Sequence, residues 1–128
     1  MEVNSRYIKA YTPAIGWGVF ILVMSLLPSR SLPSTLIEVD DFLIHGGVYF
    51  IFTSLFFLAE YMLHRFEKMR WGFLLITPFV FGFFVEVAQV TLTAYRSFSM
   101  MDVLANSLGI VLSFFLFRIF ALRKVKTQ

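Results

Sequence analysis

The chain has 128 residues, 59% of them hydrophobic, with 17 phenylalanines and a mean hydropathy of +0.79. A water-soluble domain of this size does not carry so much apolar side chain, so the composition points to burial in lipid. There is no cysteine, which excludes a disulfide framework and a thiolate metal site. The net charge of +3 and a pI near 9.5 are accounted for by basic loops of a membrane protein, and no nucleic-acid partner is expected.

The length predicts one domain over residues 1–128, built from four membrane-spanning helices. Residues 1–12 are polar, and an uncharged run follows from Pro13 to Leu27, closed by Pro28. The first span is therefore placed at about 13–28. It is short beside the usual ~17–25 residues, and a cleaved leader also begins basic and turns apolar. Met24-Ser25-Leu26-Leu27-Pro28 offers no clear small-x-small cleavage site, so a retained helix is expected. A loop with Pro33, Glu38, Asp40 and Asp41 leads to a second span at about 41–63, where Asp41, His45 and Tyr49 recur every four residues on one helical face. Glu60 lies near its other end, placed to snorkel or to pair with His64.

A basic stretch, His64–Arg70, precedes the third span at about 71–94. Trp71 sits at its edge, as interfacial aromatics do, and Pro78 is expected to kink it by freeing a backbone carbonyl. Glu86 and Gln89 share a face of this helix. The short connector Tyr95–Ser99 carries Arg96, and the fourth span follows at about 100–122. There Asp102, Asn106, Gly109 and Ser113 are spaced by four, three and four, again one face. The short connector makes the third and fourth helices antiparallel neighbours.

Nine of the eleven basic residues fall at the N-terminus, the middle loop and the tail: Arg6, Lys9, Arg65, Lys68, Arg70, Arg118, Arg123, Lys124 and Lys126. That bias predicts both termini in the cytoplasm. The second, third and fourth helices then bring Asp41, His45, Tyr49, Glu86, Gln89, Arg96, Ser99, Asp102 and Asn106 to one outer layer. Glu86, eight residues before Ala94, would lie about 12 Å from the helix end. A carboxylate in hydrocarbon costs at least ~2.5–3.5 kcal/mol, so such groups pair, face the bundle interior or line a wet cavity. Each has a plainer explanation: Asp102 suits a helix N-terminus, Asn106 and Gln89 suit interhelical hydrogen bonds, and Arg96 suits the interface. Their convergence favours a small polar pocket open to the outer face. Arg96 would act there as a counter-ion to Glu86 or Asp102, or as an anion anchor.

Glu86-x-x-Gln89, Arg96-x-x-Ser99-x-x-Asp102 and Asn106-x-x-Gly109, with Asp41-x-x-x-His45-x-x-x-Tyr49 upstream, resemble the VanZ-like family. The match covers about Pro28 to Ser113. The family pattern usually has lysine after the aspartate, where this chain has Phe42, and often glycine before the arginine, where it has Tyr95. The resemblance implies a small multi-pass protein of the bacterial plasma membrane. The family's namesake is linked to low-level resistance to the glycopeptide teicoplanin. Two roles are then open. In the first, the pocket binds a cell-wall precursor, a lipid headgroup or a glycopeptide without catalysis. In the second, Asp41, His45, Glu86 and Asp102 hold a divalent metal, or divide acid and base roles, in an intramembrane enzyme acting on a lipid-linked envelope substrate. No cofactor is required by the first. A transport role would need several copies of the chain to assemble.

Overall fold

A computed structural model describes residues 2–28, 40–64 and 66–125. It contains four long α-helices: α1 (Glu2–Leu26), α2 (Asp41–His64), α3 (Trp71–Leu92) and α4 (Met100–Val125), with a one-turn 3₁₀ helix, Phe66–Lys68, between α2 and α3. All four are long and apolar enough to cross a membrane. No more than 33% of the residues in any of their apolar windows are buried. The rest, among them Ile15, Val19, Ile76, Phe84, Leu108, Leu112 and Ile119, face outward. Such a surface is stable in hydrocarbon and not in water. The expected all-α bundle of four spans is therefore what forms. The acidic loop around Pro33 and Glu38, and the basic residues Arg30, Arg65 and Lys126, lie outside the described residues.

The largest departure from the expected boundaries is α1, which begins at Glu2 rather than near Pro13. Loss of hydropathy marks where a helix leaves the hydrocarbon, not where its backbone hydrogen bonding starts. The polar turns dock on the end of α2: the Arg6 guanidinium donates to the Met62 carbonyl at 3.3 Å, Tyr7 Oη meets His64 Nε2 at 3.4 Å, and the Tyr11 hydroxyl donates to Glu60. Pro13 is accommodated inside the helix, so the run that looked short for a span is the apolar part of a 25-residue helix. The other boundaries shift little. Asp40 caps α2, its carboxylate accepting from the Phe42 N–H at 2.9 Å. Helix α3 continues through the buried Pro78 and stops at Leu92. There Thr93 turns to extended backbone and returns both its N–H and its hydroxyl to the Gln89 carbonyl. Ser99 starts α4, its Oγ accepting from the Asp102 N–H at 3.2 Å.

Helix α2 is the central element and packs most extensively on α4. Gly46, Phe50 and Ser54 on α2 meet Ala105, Gly109 and Ser113 on α4, each set stepping by four. The approach is so close that a Cβ on Gly109 would stand 2.1 Å from the Gly46 carbonyl oxygen. One turn of α4 further on, Ser54 Oγ and Ser113 Oγ are 2.9 Å apart. Small residues that let backbones touch, reinforced by hydroxyls, are how helices associate where lipid removes the hydrophobic drive between them. Helix α1 adds a Trp17 Nε1 hydrogen bond to the Val48 carbonyl at 3.0 Å. Buried Ile21, Tyr49, Phe52, Val85 and Ile110 form one core, and Phe57, Met69 and Leu74 a second.

The two ends of the bundle differ. At one, Arg6 and Tyr7 reach the end of α2, the Lys124 ammonium donates to Tyr61 Oη at 2.8 Å, and the Arg118 guanidinium lies 4.9 Å over the Trp71 ring. The start of α1, the α2–α3 turn and the end of α4 therefore share this basic end. At the other, Gln89 Nε2 donates to the Ser25 carbonyl at 3.1 Å and the Tyr95 hydroxyl to that of Leu26.

Candidate functional site

The opposite end from the basic residues carries the polar cluster. Asp41 and His45 come from the first two turns of α2, and Asp102 and Asn106 from the first two turns of α4. The glycine contact between these helices holds the two pairs face to face. His45 Nδ1 is 3.1 Å from Asn106 Oδ1. Because a carbonyl oxygen only accepts, the neutral imidazole carries its proton on Nδ1 and leaves Nε2 as a lone pair. Nε2 stands 3.9 Å from Asp41 Oδ1 and 3.8 Å from Asp102 Oδ2. A lone pair between two carboxylates is repulsive. A cation lying among the three groups would relieve that repulsion. Asp41, at 70% side-chain exposure, forms the rim, while His45 at 16% and Asp102 at 13% lie within. One donor atom from each of these three lies within 4.8 Å of the others, the spacing a divalent ion needs.

Glu86 sits deeper. It is 1% exposed, and neither carboxylate oxygen has a hydrogen-bond partner. Asp102, Arg96, the His45 ring and the Ser99 backbone amide all lie near it. It is not one of the three groups that converge tightly enough for a shared ion. Arg96 makes no ion pair among the described residues, and its Nε is buried without a partner. The Tyr49 hydroxyl, also buried and unpartnered, lies against Gly82, one turn before Glu86, and feels the Glu86 charge. A Cβ at Gly82 would come within 3.1 Å of the Tyr49 ring, so the missing side chain makes that ring's place. Gln89 and Ser99 are already committed, to the Ser25 carbonyl and to the start of α4. The nine residues named from the sequence thus divide. Asp41, His45, Asp102 and Asn106 form one close group, with a hydrogen bond between His45 and Asn106. Glu86, Arg96 and Tyr49 bring unsatisfied polar atoms beside it, and Gln89 and Ser99 hold the walls.

A second polar group lies at the basic end. Glu60 is fully buried and does not pair with His64. Its Oε1 accepts from Tyr11 and from Arg70 Nη2, the latter at 2.8 Å. That hydrogen bond holds the Arg70 guanidinium above its ordinary value. Tyr11 lies 49 residues from Glu60 in the chain, on the polar turns of α1 that precede the apolar run from Pro13.

Four long apolar helices, small-residue contacts between them and a polar cluster at one end define a multi-pass membrane protein. The sequence model of the VanZ/LLP1 family matches residues 7–121, and the chain belongs to that family. The match takes in most of α1, so the first helix is part of the family's shared architecture. No curated protein and no solved structure matches the chain.

Proposed function

We propose that the pocket binds an amine-bearing polar group of a cell-envelope ligand: a lipid headgroup, a cell-wall precursor or a glycopeptide. The observation that carries this is Glu86, a carboxylate removed from solvent with both oxygens unsatisfied. A buried polar group without a partner costs about 1–3 kcal/mol, and more when charged. A bound ammonium or hydroxyl would supply the missing donors. Asp41, Asp102 and Glu86 outnumber His45 and Arg96, which favours a cationic group on the ligand. Arg96, with its unpartnered Nε, would meet an adjoining phosphate or carboxylate. The link of the family's namesake to teicoplanin resistance fits a protein of the bacterial plasma membrane that engages such groups at the outer face. Thermal unfolding in detergent tests it. Glycerophosphoethanolamine should stabilise the wild-type protein and leave Glu86→Gln unshifted. An equal shift in both would remove Glu86 from the site.

A second role is favoured by the convergence of Asp41, His45 and Asp102. These donors would suit a divalent ion, which would make the pocket the centre of an enzyme acting on a lipid-linked substrate. Metal analysis of protein purified without chelators should then find a stoichiometric ion that His45→Ala loses. Absence of the ion from wild-type protein would remove the metal site and leave metal-free acid and base chemistry as the enzymatic form of this reading.

A further inference from the structure

Beside the polar cluster, an apolar groove of about 340 Å³ runs between α3 and α4. It is lined by Gly82 and Phe83 on one helix and by Val103, Asn106, Ser107 and Ile110 on the other. Phe83, 55% exposed, flanks its opening toward the lipid. Two residues join groove and pocket. Asn106 lines the groove while its Oδ1 is bonded to His45. Gly82 lines the groove, and a Cβ on it would stand 3.1 Å from the Tyr49 ring and 3.4 Å from its hydroxyl. The groove lies one turn from Glu86, about 6 Å along α3.

We infer that the ligand is an amine-bearing phospholipid that enters sideways from the bilayer between α3 and α4, its headgroup in the polar pocket and one hydrocarbon chain in this groove. The inference rests on the binding role proposed above and adds the lipid chain and its path. Three observations favour this occupant. The groove opens where the protein meets hydrocarbon, so a chain is the molecule at hand. Its polar content is confined to Asn106, at the join with the pocket, and to Ser107, whose hydroxyl is turned back on the Val103 carbonyl at 2.6 Å. The pocket beside it presents carboxylates together with an unpartnered guanidinium nitrogen, the complement of a phosphate–amine pair. A chain gains little by leaving lipid for protein, since both are apolar. The groove therefore orients the lipid by packing, and the headgroup supplies the selectivity.

The test compares dioleoyl phosphatidylethanolamine, dioleoyl phosphatidylglycerol and water-soluble glycerophosphoethanolamine on protein in detergent, read by thermal shift and by native mass spectrometry. Ser107→Phe fills the groove from its lipid side. It should weaken retention of the ethanolamine lipid about tenfold and leave the shift by glycerophosphoethanolamine at the wild-type value. Wild-type lipid retention by Ser107→Phe would overturn the groove and leave the pocket standing. Loss of the lipid from Glu86→Gln is expected. If Glu86→Gln responds to the soluble headgroup as wild type does, the pocket itself is wrong and the lipid site falls with it. Equal retention of the glycerol and ethanolamine lipids would overturn the amine. A phosphatidylethanolamine with a photoactivatable diazirine in its chain gives a readout free of mutation: adducts should concentrate on residues 79–83 and 103–110. Uniform labelling of the outward faces of α1 and α4 would overturn the proposal.

Discussion

Replacing Gly109 with alanine puts a methyl carbon 2.1 Å from the Gly46 carbonyl oxygen and 2.9 Å from the Phe50 nitrogen. Ordinary contact begins near 3.4 Å, so α2 and α4 must separate by about 1.3 Å at this level. Both clashing atoms are backbone, and no rotamer change can relieve them. Overpacking of this kind costs about 1–3 kcal/mol. The separation also acts on the next residue along α2. His45 Nδ1 and Asn106 Oδ1, now 3.1 Å apart, would be pulled beyond hydrogen-bond distance, at about 0.6 kcal/mol for a hydrogen bond between membrane helices. Gly109→Ala should therefore lose about 2–4 kcal/mol in reversible unfolding from detergent micelles. Gly47→Ala, whose Cβ would meet nothing within 4 Å, should be neutral or gain up to about 1 kcal/mol of helix propensity. If Gly109→Ala unfolds within about 0.5 kcal/mol of wild type, the backbone contact between α2 and α4 does not exist as described.

Cysteine scanning addresses the sidedness predicted from the basic residues. In this cysteine-free chain, Ser97→Cys in intact cells should react with an impermeant thiol reagent and Lys68→Cys should not; the reverse pattern would put the pocket on the cytoplasmic side. Arg70→Ala should destabilise the protein by about 1–3 kcal/mol, because it leaves buried Glu60 with Tyr11 alone; the upper range for buried pairs is discounted because Arg70 is 57% exposed. In a Glu60→Gln background the same change should cost at most half as much, and equal costs in a double-mutant cycle would show that the pair carries no coupling. At the pocket, Arg96→Ala combined with Glu86→Gln should be less destabilised than the sum of the two single changes, since the charge of Arg96 acts on Glu86; strict additivity would make Arg96 an interfacial anchor only.

The number of helices, the pairing of α3 with α4 and the gathering of Asp41, His45 and Asp102 at one end were legible in the sequence. They follow from apolar runs between loops, from the short connector Tyr95–Ser99, and from four-residue steps on α2 and four- and three-residue steps on α4. What stayed hidden depends on atoms distant in the chain. Gly109 was visible as one member of a polar stripe, but nothing local says that Gly46 lies opposite it, 63 positions away. Ala105 drew no attention in an apolar run, yet it belongs to the same contact face. Arg96 was expected to close an ion pair with Glu86 or Asp102. Charge and spacing could nominate it, but where a long side chain comes to rest is decided by the packing of the connector, held here by Tyr95 on the Leu26 carbonyl. The start of α1 was missed for a different reason. Hydropathy reports the solvent around a helix, and the first turns of α1 are helical outside the apolar run.

The embrace of α2 by α4 also sets a schedule. His45 finds its hydrogen bond 61 residues downstream, at Asn106, and Ser54 finds its own 59 residues downstream, at Ser113. While the chain is being made, α2 enters the bilayer with these groups unmet, steadied by the upstream partners Tyr11 and Trp17 on α1. The polar end is complete only when α4 arrives. A nascent chain halted at the α3–α4 connector thus leaves His45 and Ser54 without the partners that α4 brings.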